Sequence, residues 1–274
     1  MQTRSDAAEA ALRAELAALQ VAVLPSERLP GAWELRCEGT GAAADVDLTA
    51  TESYANGSFE VQDLGSQALL AAVAPPPGGT WLDACAGAGG KSLQLAHLLG
   101  ASGRVHASDV RADALKEVRR RAKRAGLEGR VSTLPPASAA DASQPAVYDG
   151  VLVDAPCTGS GTWRRAPHLR WQLTPEAIAS ASALQLRILR GAARSVRRGG
   201  TLVYATCSLA DAENSGVVDA FLAGAATSRE CAFEPAELPG AAALGLAAPG
   251  GRLTLPPAAL NSDGFFVASM RRVR

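Results

Sequence analysis

Two cysteines are set apart by their surroundings. Cys157 lies in DAPCTGSG (154–161) and Cys207 in YATCS (204–208), each beside glycine or small hydroxyl-bearing residues. A thiolate in such a setting is a strong nucleophile and can divide one difficult step into two easier ones through a covalent intermediate. Taken singly, either cysteine would read as a small core residue. Both follow the ends of predicted strands, and together they read as a reactive pair. A third segment, DACAGAGGK (83–91), runs from an apolar strand into a helix through Gly87, Gly89 and Gly90. Glycines let the backbone approach a ligand, and a helix N-terminus offers unpaired N–H groups. Asp109 ends the next predicted strand, where a carboxylate can accept two hydrogen bonds from ribose hydroxyls.

The glycine turn alone leaves alternatives open, since a nicotinamide dehydrogenase shares its geometry. That fingerprint needs a third glycine at position 92, where Ser92 stands. An acid at the start of the turn, Asp83, favours S-adenosylmethionine. Lys91 is either a solvent-facing lysine at a helix start or a cation in the pocket. Cys85, inside the turn, reads as structural, as do Cys37 and Cys231.

The elements that must position these groups alternate from Gly57 onward. Strands are expected at 80–85, 104–109, 130–134, 148–155, 201–208 and 264–273, and helices at 91–100, 112–126, 175–196 and 213–224. Pro175 suits a first helical position, and Gly126 and Gly199–Gly200 suit helix stops. This rhythm predicts an α/β fold, a doubly wound Rossmann-like sheet with helices on both faces. Residues 1–55 read as a small α+β appendage: a helix over 6–20, with Ala11, Leu12, Leu16 and Leu19 at helical spacing, then two strands. Residues 56–274 form the main domain, in which 137–145 reads as a loop.

Hydrophobic residues make up 47% of the 274 and charged residues 20%, enough to bury a core and too apolar for disorder. Runs of transmembrane length are missing, and the N-terminus reads as neither signal nor transit peptide. Five dispersed cysteines without a CxxC pair argue against disulfides or zinc and for a reducing, cytoplasmic setting. The three histidines have no metal-ligand partner at useful spacing, so no metal is expected.

DACAGAGGK, DAPCTGSGTWRR and ATCSLADAEN, in that order, resemble the Sun (RsmB-type) family of RNA 5-methylcytosine methyltransferases. VQDLGSQ (61–67), PHLRW (167–171) and DGFFVASMRR resemble further signatures of it, so the likeness spans 57–272. It implies a class I methyltransferase sheet and transfer of methyl from S-adenosylmethionine to C5 of a cytosine in structured RNA, ribosomal RNA foremost. Transfer RNA is one alternative target, and a catalytically weak RNA-binding protein on the same scaffold is another reading. By this resemblance Cys207 adds to cytosine C6 and Cys157 helps eliminate the adduct. Asp154 meets N3 and the amino group, and Lys91 lies in the same pocket. The cofactor would lie against Asp83, Cys85, Ala86, Gly87, Ala88, Gly89, Gly90, Lys91, Asp109 and Asp154. The chain departs from the family at Gly87-Ala88, where Ala-Pro is usual. It departs again after the third strand, where an aspartate is usual and LPPA (134–137) stands instead; Asp141 is too far along to replace it.

A net charge of zero, taken alone, speaks against a nucleic-acid binder. The basic residues are nevertheless clustered: 116–124; Arg164, Arg165, His168 and Arg170, interleaved with Trp163 and Trp171; and Arg187 to Arg198. Acids concentrated elsewhere would leave a face able to neutralise phosphates. Arg164, Arg165 and Trp171 directly follow the Cys157 motif and are the expected RNA contacts, suited to gripping an extruded base. The family carries a small RNA-binding domain where this chain has 1–55. A monomer without membrane attachment is expected.

Overall fold

The computed structural model of the protein describes residues 6–37, 47–135, 137, 146–227 and 231–274. At its centre is an eight-stranded sheet. Its strands are β3 (Thr80–Asp83), β4 (Arg104–Ala107), β5 (Val131–Thr133), β6 (Tyr148–Asp154), β7 (Val196–Thr206), β8 (Phe233–Pro235), β9 (Arg252–Leu255) and β10 (Phe265–Arg272). They lie in the order β5-β4-β3-β6-β7-β10-β8, with β9 paired to β10. The first five are parallel, and β10 runs antiparallel to β7. This is the class I methyltransferase sheet that the resemblance implies.

The apolar runs are explained by burial on both faces. Along β6 and β7, Leu152, Val203 and Ala205 pack with the helices α3 (Leu64–Val73), α4 (Gly90–Leu98) and α5 (Ala112–Arg124). Their neighbours Val151, Val153, Leu202 and Tyr204 pack with α6 (Pro175–Ala193) and α7 (Ser215–Thr227) on the other side. Helix α6 starts as its sequence demands: Pro175 stands in the first turn, and the Thr174 hydroxyl accepts from Ala177 N at 3.1 Å. Such a cap contributes about 1 kcal/mol.

Several boundaries differ from the sequence expectation. Helix α6 stops at Ala193, and β7 begins at Val196, five residues before the apolar run at Thr201. Ser195 N donates to Ala192 O, a tight last turn, and Val196 already pairs with Tyr148. The segment VQDLGSQ lies at the start of α3, which is capped by Asp63, whose Oδ1 accepts from Gly65 N and Ser66 N. His168 lies in a 3-10 turn, Pro167–Gln172. Most of the loop 137–145, including Asp141, falls outside the described residues.

At the N-terminus α1 (Asp6–Ala18) packs on the hairpin β1 (Val21–Pro25) and β2 (Trp33–Cys37) and on the short helix α2 (Glu52–Ala55). Leu12 and Leu16 are fully buried with Val21, Val23 and Phe59, whereas Ala11 and Leu19 are exposed. Among the described residues no helix is long and apolar enough to cross a membrane.

Candidate active site

All five parallel strands point their carboxyl ends at one edge, and the sheet order reverses between β3 and β6, where ligands enter such folds. Asp83 ends β3, Asp109 follows β4, Asp154 ends β6, and Cys207 follows β7. A cleft of about 480 Å³ opens there, lined by Ala84, Cys85, Gly87, Asp109, Val110, Arg111, Ala137, Asp154, Pro156 and Ile188. Of the expected cofactor residues, Cys85, Gly87, Asp109 and Asp154 reach its wall.

The turn from β3 to α4 is held from below. Asp83 is fully buried and accepts from Ser92 Oγ at 2.6 Å. Burial pushes its carboxyl up to about 7, against the pull of the Ser92 bond. Asp83 therefore braces the turn from beneath and does not line the cleft. The Ser92 that breaks the dinucleotide fingerprint is its partner. Gly89 caps α4 with φ +88°, a left-handed conformation natural to glycine, and a Cβ there would crowd Val118 and Leu93. Asp109 is buried and accepts from Gly87 N at 2.9 Å and from Arg111 N and Nε at 2.9 and 3.1 Å. Burial alone would raise its carboxyl; these bonds outweigh it and hold it below the usual range. Burial and the neighbouring Asp83 carboxylate push the Cys85 thiol up, as befits a structural cysteine.

Lys91 resolves toward the pocket. Its side chain is 12% exposed, with Nζ 2.8 Å from Asp154 Oδ2 and 5.6 Å from the ring centroid of Phe265. Burial would strip its proton, but the Asp154 carboxylate prevails and raises its pKa. Beside this pair the two cysteines meet, Sγ to Sγ at 3.3 Å, both half-buried. The contact is unequal. Cys157 is pushed up, first by its hydrogen bond to Cys207 and then by burial. Cys207 is lowered by that same bond; burial and the Asp154 carboxylate oppose the effect, and Lys91 and Arg165 add to it. Either sulfur can be the donor in this contact, and the directions of these shifts favour Cys157 in that part.

The loop after Cys157 locks onto the segment after Cys207. Gly161 N donates to Cys207 O at 2.9 Å, and Gly264 N donates to Gly161 O at 2.7 Å. A Cβ on Gly161 would lie 2.1 Å from Gly264 O. Gly161→Ala should therefore destabilise the fold by about 1–3 kcal/mol through overpacking; an unchanged thermal midpoint would show that the two loops part easily.

The basic clusters fare differently. Arg164 and Arg165 are 51% and 65% exposed, yet both turn toward the fully buried Asp263. Arg165 Nε donates to it, and Arg164 Nη2 lies 3.6 Å from Asp63 Oδ2. Trp171 is 76% exposed, with the Arg170 guanidinium 4.4 Å above its ring. In α5 the acids do not lie elsewhere as expected. Lys116 pairs with Asp113 and Arg120 with Glu117, while Arg121 and Arg124 both bind Glu60. That helix face is largely neutralised and partly serves to hold the N-terminal residues, with Arg124 3.8 Å above the Tyr54 ring. The sequence reading also missed Glu213, buried behind the cysteines; its only signal was its place in ATCSLADAEN.

Sheet order, glycine turn and cleft define a Rossmann-like α/β enzyme of the methyltransferase class. Within it, the chain belongs to the RsmB/F family of 16S rRNA methyltransferases, which matches residues 70–271. It is 35% identical over 231 residues to a probable ribosomal RNA small subunit methyltransferase B of Synechocystis sp., covering 82% of this chain and 50% of that protein. The crystal structure of the protein PH0851 superposes with a TM-score of 0.81 at 31% identity, covering 96% of this chain and 56% of that one. NSun6 from Pyrococcus horikoshii, determined with SFG, superposes with a TM-score of 0.70 at 26% identity, covering 84% and 57%. The chain thus spans about half the length of the curated relatives it matches.

Proposed function

We propose that this chain methylates C5 of a cytosine in RNA, ribosomal RNA being the substrate, with S-adenosylmethionine as methyl donor. The observation that carries the reading is the contact of Cys157 and Cys207 at 3.3 Å beside the Lys91–Asp154 pair, at the edge of the cofactor cleft. Membership of the RsmB/F family supports the RNA target.

The residues present fit the cofactor. Ala84, Val110, Pro156 and Ile188 give the cleft apolar walls for a base, while Asp109 and the Gly87 turn offer acceptor and backbone groups for a sugar and a polar tail. When bound there, S-adenosylmethionine supplies an electrophilic methyl group. The protein's task is to make cytosine C5 nucleophilic. Cys207, the thiolate of the pair, adds to C6; the electrons of the C5–C6 double bond move onto the ring, leaving an enamine able to take the methyl at C5. Asp154, at the cleft wall, accepts from the cytosine amino group; N3, which carries no proton in cytosine, takes one from the Lys91 ammonium by way of Asp154 as negative charge reaches it, and gives it back when the adduct breaks down. After methylation C5 gives its proton to solvent water, the C–H electrons restore the C5–C6 double bond, the C6–S bond breaks, and Cys207 leaves as thiolate, with Cys157 assisting that release.

Residues 1–55 and the exposed Arg170–Trp171 stack supply RNA contacts on this reading, with Arg164 and Arg165 at the rim. Trp171→Ala should weaken RNA binding by about 5- to 150-fold, the range of a lost base–aromatic stack, with cofactor affinity unchanged. Unaltered binding in a filter assay would make Trp171 a bystander. The direct test of the function is incubation with tritiated S-adenosylmethionine and RNA from an unmodified source, followed by nucleoside analysis. Label in 5-methylcytidine is the expected result; label in another nucleoside, or none despite cofactor binding, would overturn it.

A further inference from the structure

Glu213 lies in the 3-10 turn Asp211–Glu213, between Cys207 and α7, and is fully buried. Its carboxylate collects four donors. Oε2 accepts from Thr158 N at 2.9 Å and Gln185 Nε2 at 2.8 Å; Oε1 accepts from Ser208 Oγ at 2.7 Å and from Thr158 Oγ1. Thr158 is the residue after Cys157, and Ser208 is the residue after Cys207. Gln185 reaches from α6 and also donates to Pro156 O at 3.0 Å, so Cys157 is pinned on both sides. On the β7 side, the Glu213 carbonyl accepts from Tyr204 Oη at 2.6 Å, and the next residue, Asn214, takes the Thr206 hydroxyl at 2.6 Å.

None of the four donors to this carboxylate is a cation. A buried carboxylate with only neutral donors is a costly way to join two loops, because apolar packing would do it without desolvating a charge. What apolar packing cannot supply is an acceptor for four donors arriving from three segments, which fixes their mutual placement to within hydrogen-bond tolerance. The two loops joined in this way are those that carry the cysteines.

We propose that Glu213 is a positioning residue for methyl transfer: by bonding both cysteine loops at once it holds Cys157 and Cys207 in contact, so that one thiol donates to the other. The proposal rests on the assignment of Cys207 as nucleophile. Glu213 touches neither sulfur by hydrogen bond and acts through Thr158 and Ser208. Its negative charge also favours the protonated form of Cys157, in the same direction as the larger influences of the Cys207 bond and burial.

Cysteine alkylation reads the arrangement without turnover. The protein is treated with iodoacetamide from about pH 6 to about pH 9, and modification of each cysteine is followed by peptide mass spectrometry. Wild-type protein should lose Cys207 at least about tenfold faster than Cys157 near neutral pH. In Glu213→Ala that preference should fall to within about threefold, and kcat should drop at least about tenfold with the KM for S-adenosylmethionine unchanged. Glu213→Gln, which keeps the shape and one acceptor oxygen, should recover part of both. A folded Glu213→Ala protein that keeps the preference and kcat overturns the proposal. Should Glu213→Ala fail to fold, the double variant Thr158→Val, Ser208→Ala leaves the carboxylate in place and removes two donors. Loss of preference there supports the proposal, and an undiminished preference overturns it. Wild-type protein without preference for Cys207 would strike the nucleophile assignment first and the role of Glu213 with it.

Discussion

Replacing Cys207 with alanine should take methyl transfer to background while S-adenosylmethionine binding persists. Loss of a covalent nucleophile costs up to about a millionfold in kcat, and no other thiolate can take the position. Cys157, the nearest sulfur, stays pushed toward its protonated form by burial and by the Glu213 charge after the contact with Cys207 is gone. Cofactor binding should survive because the cleft wall is made by the glycine turn, the segments after β4 and β5, the end of β6 with Pro156, and Ile188 of α6, and the Cys207 side chain is not part of it. Single-turnover assays with equilibrium cofactor titration separate the two. Residual transfer within about a hundredfold of wild type would be too fast for loss of a covalent nucleophile and would sink the assignment.

Cys157→Ala should have the opposite signature, an excess of intermediate. With the group that assists release removed, protein and RNA should accumulate as a covalent adduct, visible as a gel shift that survives denaturation. The adduct should vanish when Cys207→Ala is added. The contact geometry adds a second expectation. Cys157 is the largest influence lowering Cys207, so its loss raises the Cys207 pKa. Adduct formation should then require higher pH than the first step of the wild-type reaction, a shift read from the pH dependence of the burst. A variant that turns over normally, with no adduct, would leave Cys157 as packing.

The site was legible in the sequence to the extent that its residues lie at strand ends. Strands buried on both faces read as unbroken apolar runs, and their last residues fall at the ligand edge, so the sequence alone brings Asp109, Asp154, Cys157 and Cys207 to one edge. The antiparallel strands β8 and β9 are only three and four residues long, too short to show a period. The direction of Lys91 was undecidable because a lysine at a helix start suits both solvent and pocket; only the position of Asp154 settles it. In α5 the pairing is written in the spacing: Asp113 with Lys116 and Glu117 with Arg120 stand three apart, as neighbours on a helix face do. Glu213 was beyond reach, since its role arises from four donors on three segments and sequence spacing records none of them.

Asp83 has a thermodynamic consequence. Its carboxyl titrates at about 7 in the folded protein against an ordinary value of 3.8, so the native state holds a proton there that the unfolded chain gives up. By linkage, the stability this group contributes is complete below about pH 3.8 and is lost as pH rises toward 7, beyond which nothing further is lost. Any cationic ligand settling on the turn above it favours the carboxylate and must expel part of that proton to the solvent. Cofactor association near pH 7 should therefore show a calorimetric heat that differs between phosphate and Tris in proportion to their ionisation enthalpies. Identical heats in the two buffers would mean that the proton stays on Asp83 and that the charge of the ligand is balanced elsewhere.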